Sequence, residues 1–198
     1  MHTVRARRRR SSLRGGAIAL SCAALSIALA GCGGAAPPQR TKAARIALSS
    51  PALIGRGLGG PIQVRYTCDG ADATPPFRWG AVPPNTASLA LFLLKVARSQ
   101  PTAGGSVAAE VNIEWAVAGL SPRIHEIPVG RLPRGAVTGS KRYSICPTRG
   151  GAATYIFQLV AMAQQPAVGP HFDATKLFQE AESVSVGSGT LTSSYKRT

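Results

Sequence analysis

The sequence feature that most constrains the fold is a proline-containing segment over residues 66–79, Tyr-Thr-Cys-Asp-Gly-Ala-Asp-Ala-Thr-Pro-Pro-Phe-Arg-Trp. Asp and Gly supply turn geometry, while each proline fixes its own φ and moves the residue before it out of the helical region. The segment therefore predicts a rigid, irregular loop, which we call the 66–79 loop. Binding and catalytic residues often lie on loops positioned by a rigid scaffold, so this loop is the first place to look for a site.

The N-terminal segment is predicted to be an export signal rather than part of the fold. Several arginines precede an uncharged, mostly apolar run over residues 15–30. This run is short for a membrane span of about 20 residues and is typical of a signal peptide. It ends in Leu29-Ala30-Gly31-Cys32, which resembles the lipobox of bacterial lipoproteins, in which the cysteine is lipidated. An uncleaved N-terminal anchor is the alternative, and either one holds the domain at a membrane.

These features predict three segments. A signal peptide over residues 1–31 is followed by a flexible tether over residues 32–43, which begins at the lipidated Cys32. The remaining residues, 44–198, are the right length for one folded domain. The predicted location is the extracytoplasmic side of the cell envelope, with the membrane as a partner through the lipid on Cys32.

The charge balance favours anionic surfaces over nucleic acid. The chain carries 23 basic and 8 acidic residues, and six of the arginines lie in the predicted signal, so the mature part keeps 17 basic residues. These residues are scattered along the sequence, and no basic motif interleaved with aromatic residues occurs. We therefore expect weak attraction to an anionic envelope surface and no nucleic-acid partner.

The cysteines of the folded part indicate a disulfide. Cys22 lies in the predicted signal and Cys32 is the predicted lipid acceptor, which leaves Cys68 and Cys146. Two cysteines in turn-rich loops of an exported protein indicate one disulfide. A metal pair and two free thiols are the alternatives, and a metal site is disfavoured because no histidine stands near either cysteine.

Hydrophobic periodicity predicts a mainly β domain. Residues 62–66 alternate apolar and polar side chains, residues 88–96 are almost continuously apolar, as in a central strand covered on both faces, and residues 154–162 form a second apolar strand. Residues 122–151 have little periodicity and are predicted to be loop with short edge strands. One helix is predicted over residues 173–183, with Asp173 as its N-cap.

Two more strands are predicted, and the first carries an acidic residue. Over residues 111–117, strict alternation places Ile113 and Trp115 on one face and Glu114 on the other. Glu114 is therefore predicted to point away from the apolar face, where it is either paired or solvated, or buried with a raised pKa. Residues 184–195 are predicted to form a last short strand.

Several segments together resemble one family. Cys-Asp-Gly-x-Asp-x-Thr-Pro-Pro-x-x-Trp over residues 68–79 resembles the signature loop of the phosphatidylethanolamine-binding protein superfamily, in its bacterial Raf-kinase-inhibitor-like branch. Residues 88–91, 115–122, 143–147 and 155–159 are similar to later family segments in the same order. The resemblance implies a β-sandwich of a large and a small sheet with one or two peripheral helices. It also implies one shallow anion-binding pocket. The pocket would be formed by the 66–79 loop, the end of the core strand that begins at Ser88, and the cysteine-proline loop over residues 143–147.

The departures from the family pattern fall on that pocket. Lys95 to Ser99 replace an acidic segment, Glu114 replaces a histidine, and Ala153 and Thr154 replace a histidine-arginine pair. The pocket thus loses groups that shuttle protons or bind phosphate, yet it gains cations that can hold an anion by charge. The residues expected at the pocket are Asp69, Asp72, Pro75, Trp79, Lys95, Arg98, Glu114 and Tyr143.

The predicted function is non-catalytic. We expect an envelope lipoprotein whose pocket or its surroundings bind a small anionic ligand or a partner protein, without metal or cofactor. No nucleophile elbow, paired metal-binding histidines or Cys-His pairing occurs in the sequence. The alternatives are a structural or interaction protein with a vestigial pocket and, remotely, a hydrolase that uses Asp69, Asp72 and Glu114, although aspartates in such turns more often bond their own backbone.

Overall fold

A computed structural model describes residues 43–54, 60–98 and 109–198, which belong to one unit spanning Arg40–Thr198. The predicted signal peptide, Cys32 and nearly all of the tether lie outside the described residues and stay predictions. The described residues form ten strands and one α-helix: β1 Ala44–Arg45, β2 Leu48–Ser49, β3 Gly60–Pro61, β4 Phe77–Trp79, β5 Ser88–Arg98, β6 Ala109–Leu120, β7 Glu126–Ile127, β8 Val137–Thr138, β9 Ala152–Met162, α1 Ala174–Ser183 and β10 Ser185–Lys196.

Two sheets make the domain mainly β, as predicted. Within the described residues the larger sheet has seven strands, in the order β1-β10-β9-β5-β6-β8 with β3 paired to β10, and the smaller has the order β2-β4-β7. The apolar strand β5 pairs antiparallel with both β6 and β9, which confirms the predicted central strand. A strand in this position has neighbours on both edges and cores on both faces, so it tolerates almost no polar side chains.

Alternate residues of β5 face two different cores. Leu89, Leu91 and Leu93 belong to a core that also contains Phe77 and Ile127 of the small sheet. On the other face, a second core gathers side chains from β5 and from α1. The large sheet is therefore a central layer, with the small sheet on one side and α1 on the other.

The helix and the final strand agree in kind with the prediction. Asp173 is the N-cap of α1, and its Oδ1 accepts hydrogen bonds from the backbone N–H groups of Thr175 and Lys176 at 2.8 and 3.1 Å. Strand β10 has the predicted length and is shifted by one residue, and it pairs with β9 along its full length. The segment predicted as loop with edge strands, residues 122–151, contains only the short strands β7 and β8 among its described elements.

Strand β6 departs from strict alternation at Glu114. Leu93 and Leu94, adjacent on β5, pair with Trp115 and Ile113, so the register skips Glu114. Because of this β-bulge, Trp115 packs in the core with the small sheet, whereas Ile113 packs against the core that contains α1. The prediction that Ile113 and Trp115 share one face was therefore wrong.

The predicted strand over residues 62–66 was also wrong. Val64–Tyr66 form a 3₁₀ turn, and Ile62 forms an isolated bridge to Leu53. The backbone N–H of Thr67 and its hydroxyl both donate to the carbonyl of Val64, at 2.9 Å each. These two local bonds turn the chain where alternation alone predicted an extended segment.

Candidate functional site

A disulfide fixes the 66–79 loop to the cysteine-proline loop. Cys68 and Cys146 are bonded with an S–S distance of 2.11 Å, as predicted. Two hydrogen bonds flank the bridge: the N–H of Cys68 donates to the carbonyl of Ile145 at 3.2 Å, and the hydroxyl of Tyr143 donates to the carbonyl of Tyr66 at 2.9 Å. The first half of the 66–79 loop is therefore held at several points by the segment over residues 143–146.

Asp69 binds the C-terminal end of the domain. Its Oδ2 accepts from the hydroxyl of Tyr195 at 2.6 Å, and its Oδ1 accepts from Nε of Arg197 at 3.0 Å. The hydrogen bond from Tyr195 and the bond and charge of Arg197 lower the pKa of this carboxyl group. Both oxygens of Asp69 are thus engaged by protein groups that join the 66–79 loop to the end of β10.

Beyond Asp69, the loop enters the wall of a cavity of about 490 Å³. Its other walls come from the segments before and after β8, from β6 and from the turn that precedes α1. The residues that line it are Asp72, Ala73, Thr74, Trp115, Gly130, Leu132, Thr138, Gly139, Ser140, Lys141, Arg142, Tyr143 and His171. The cavity therefore combines an aromatic floor with one carboxylate and three basic side chains.

Asp72 is the unusual residue of this cavity. Its φ is 49°, a left-handed conformation that non-glycine residues rarely adopt. Its Oδ1 is buried and has no hydrogen-bond partner among the described residues. An unsatisfied buried polar atom costs about 1–3 kcal/mol, and residues held in rare backbone conformations cluster at functional sites. Asp72 therefore combines two features that distinguish it from Asp69.

His171 lies far from Asp72 in the sequence, and its backbone is also left-handed. Its φ is 63°, and among the described non-glycine residues only Asp72 also has a positive φ. The N–H of His171 donates to the carbonyl of Thr138 at 2.8 Å, and the N–H of Ser140 donates to the carbonyl of Phe172 at 3.0 Å. These bonds hold the histidine at the cavity. The sequence analysis missed it, because no local pattern connects residue 171 with residues 72 or 143.

The cations at the cavity differ from those expected from the sequence. Lys141 and Arg142 line it, and Nζ of Lys141 donates to the carbonyl of Ile113 at 2.7 Å. Lys95 is half-buried on β5, opposite Asn112 and Tyr155 in the register, and does not line this cavity. Arg98 ends β5, and its side chain lies outside what the structure describes.

The aromatic part of the site is closely packed. The rings of Trp115 and Tyr143 meet edge to face, with centroids 5.5 Å apart. Burial, followed by the charge of Asp72, raises the pKa of Tyr143 far above its usual range. Burial and then the charge of Glu114 raise the pKa of Tyr155 to about 12. Tyr143 is therefore a neutral hydrogen-bond donor to the backbone rather than a proton-transfer group.

The other expected residues surround the cavity without lining it. Pro75 and Trp79 are buried, and Trp79 packs in the core between the sheets. Glu114 occupies the bulge of β6 and is half-buried. Of the eight expected residues, the cavity brings together Asp72 and Tyr143. Asp69, Glu114 and Lys95 do not converge on it.

Neither a metal cluster nor a spanning helix is found in the described part of the chain. Among its residues, no group of three or more His, Cys, Asp and Glu side chains is arranged to hold a metal ion. The helical residues that the structure describes include no segment long and apolar enough to cross a bilayer.

The domain is a two-sheet β-sandwich with a cavity beside a disulfide-bonded loop. Its fold is similar to that of a homologue of phosphatidylethanolamine-binding protein from Chlamydia trachomatis, CT736, with a TM-score of 0.64 and 22% identity over 78% of this chain and 99% of that one. It is also similar to Escherichia coli YbcL, with a TM-score of 0.63 and 18% identity over 77% of this chain and 99% of that one.

The sequence comparisons define the family. Residues 56–196 match the family model described as phosphatidylethanolamine-binding protein. A Mycobacterium tuberculosis protein named "Putative lipoprotein LppC" is 30% identical in an alignment 171 positions long, which covers 75% of this chain and 80% of that protein. A UPF0098 protein of Methanothermobacter thermautotrophicus is 30% identical in an alignment 146 positions long, which covers 70% of this chain and 92% of that protein. The chain belongs to the phosphatidylethanolamine-binding protein family.

Proposed function

We propose that this protein is a non-catalytic lipoprotein of the cell envelope that binds a small ligand in the cavity beside the 66–79 loop. The envelope location is supported by the lipobox-like sequence before Cys32 and by the lipoprotein name of the mycobacterial relative. The binding role is carried by one observation, the buried Oδ1 of Asp72, which has no hydrogen-bond partner in the part of the chain that the structure describes. Because Asp72 also lines the cavity, a rotation of its side chain would bring this oxygen to a ligand's ammonium or hydroxyl group, which would supply the missing hydrogen bond.

The basic side chains of the cavity extend the proposal to the ligand's charge. Lys141, Arg142 and His171 line the same space as Asp72. An anionic group held by these side chains and a donor held by Asp72 would together make a ligand of mixed charge. Phosphoethanolamine, the head group in the family's name, has this combination and is a suitable probe.

Hydrolysis finds no support in the positions of the acidic residues. Asp69 is bound to Tyr195 and Arg197, and Glu114 does not line the cavity of Asp72. General acid–base catalysis needs its groups within hydrogen-bond reach of one reacting atom. The three carboxyl groups of the hydrolase alternative do not share such a place.

The test is a titration of the purified full-length protein with phosphoethanolamine, ethanolamine and inorganic phosphate. We expect phosphoethanolamine to bind more tightly than either fragment, because it engages both charges of the cavity. Arg142→Ala should weaken phosphoethanolamine and phosphate by about tenfold, the loss of one charge-assisted hydrogen bond. Lys95→Ala is the matched control outside the cavity and should change nothing. Equal effects of the two variants, or no binding of any probe, would contradict the proposal.

A further inference from the structure

The first half of β6 lies at an open edge of the large sheet. Strand β6 spans Ala109–Leu120, but its outer neighbour β8 pairs only with Val117 and Ala118. Among the described residues, no backbone group outside β5 forms a hydrogen bond with residues 109–113, and we call this segment the β6 edge. An edge strand with free N–H and C=O groups is a template for pairing with another strand.

The free backbone groups of the β6 edge belong to alternate residues. Nζ of Lys141 donates to the carbonyl of Ile113 at 2.7 Å, so this carbonyl points away from β5. In an antiparallel pair, the backbone groups of every second residue point to the same side, and the register is regular between Ile113 and Val111. The N–H and C=O of Val111 therefore also point to the open side of β6.

The side chains of the β6 edge also favour pairing. Val111 is 51% exposed and lies opposite Val96 of β5. A β-branched side chain on a further strand would pack beside Val111 and continue this apolar row. Proline and lysine, which commonly block the pairing of edge strands, do not occur in residues 109–113.

The β6 edge is complementary to a second copy of itself. Antiparallel pairing about a two-fold axis at Val111 places this valine opposite its own counterpart, so that the row contains four valines. Glu110 then lies opposite Asn112 of the second copy, and no like charges face each other directly. Lys95 lies opposite Asn112 on β5, which places a positive charge in the same row as the second copy's Glu110. The charges and the valine row therefore favour a second copy as the partner.

We propose that the protein forms a two-fold symmetric dimer in which the β6 edges of two copies pair antiparallel and join the two large sheets. Two hydrogen bonds link the Val111 residues, and Ala109 of each copy pairs with Ile113 of the other. Because the shared segment is short, its interface belongs to the small and weak class, and the dimer should dissociate on dilution. This inference is independent of ligand binding at Asp72.

The first test is sedimentation equilibrium of the purified full-length protein over a range of concentrations. We expect a monomer–dimer equilibrium, and Val111→Lys should raise its dissociation constant about tenfold or more, because two like charges would then face each other. Val129→Lys, at an exposed valine outside β6, is the matched control and should leave the equilibrium unchanged. A monomer at every concentration, or equal effects of the two variants, would overturn the proposal.

The second test locates the contact. Residues that face each other in a hydrogen-bonded antiparallel pair have Cα atoms about 5.5 Å apart, which lies within the range of a disulfide. Mild oxidation of Val111→Cys should therefore give a covalent dimer, and mass spectrometry should find the crosslink between the two introduced cysteines, whereas Val129→Cys should give none. A dimer without the crosslink at residue 111 would show that the interface lies elsewhere. Slow hydrogen exchange of the Val111 amide in the monomer would mean that the chain's own residues cover the edge, which also contradicts the proposal.

Discussion

Two aspartates of one loop, Asp69 and Asp72, are used in opposite ways. Both oxygens of Asp69 accept hydrogen bonds, from Tyr195 and Arg197. Asp72 lines a cavity, has a left-handed backbone, and has a buried oxygen without a partner among the described residues. The difference shows that an acidic pair in sequence need not be an acidic pair in chemistry. One carboxylate joins two parts of the domain, and the other is the one that we propose for ligand binding.

The largest effect is expected from removing the disulfide between Cys68 and Cys146, which holds the loop that carries both aspartates. Changing Cys68 and Cys146 to alanine should lower the free energy of unfolding by about 4 kcal/mol, from the chain-entropy estimate for a closed loop of this length. Urea denaturation measures it. As a control, reducing agent should bring the unaltered protein down to the stability of the variant. An unchanged midpoint would mean that the disulfide contributes nothing to the frame.

Tyr143→Phe should cause the next largest loss in the free energy of unfolding. The change removes the donor to the carbonyl of Tyr66 across the loop. An unsatisfied buried carbonyl costs about 1–3 kcal/mol, and urea denaturation again measures the loss. If the loss is below the error of the measurement, water or another group replaces the hydroxyl, and the loop is less tightly held than we infer.

Asp69→Asn should change the response of stability to acid. The folded-state pKa of Asp69 is lowered, so its contribution is fully present above a pH of about 4, the unfolded value, and is lost as the pH falls through the folded value. Thermal unfolding should show a lower midpoint for the variant than for the unaltered protein near pH 7. The difference between the two midpoints should become smaller below a pH of about 4. A constant difference across this acid range would show that charge is not what Asp69 contributes.

The smallest effect, and one of opposite sign, is expected for Asp72→Gly. Glycine adopts a positive φ without strain but costs more backbone entropy, so a net rise of about 0.5 kcal/mol in unfolding free energy is expected from the balance of the two. Ala71→Gly, next to it in the same turn and without a positive φ, is the control and should lower stability. A destabilised Asp72→Gly would mean that the carboxylate has a structural role like that of Asp69.

Local patterns in the sequence were sufficient for the elements whose environment is uniform. The run over residues 88–96 identified the central strand, and Asp173 identified the start of α1. Both signals follow from burial and capping, which act on neighbouring residues. The disulfide followed from the small number of cysteines in the folded part.

The errors arose where distant or irregular contacts decide the structure. The bulge at Glu114 depends on the register between β5 and β6, and the turn at Val64–Tyr66 depends on two bonds to one carbonyl. The cavity is harder still, because it joins residues 72, 143 and 171, which are brought together only by the folded topology. Sequence similarity directed attention to Lys95, whereas the fold places Lys141, Arg142 and His171 at the cavity.

The most direct test of the central claim is a calorimetric titration with phosphoethanolamine of two isosteric variants, Asp72→Asn and Asp69→Asn. If Asp72 is the ligand-binding carboxylate, Asp72→Asn should weaken binding by about tenfold to a hundredfold, the range for a charge-assisted hydrogen bond, with little change in stability. Asp69→Asn, measured well below its unfolding temperature, should bind as the unaltered protein does. Equal affinity of Asp72→Asn and the unaltered protein, or a larger loss in Asp69→Asn, would contradict this account.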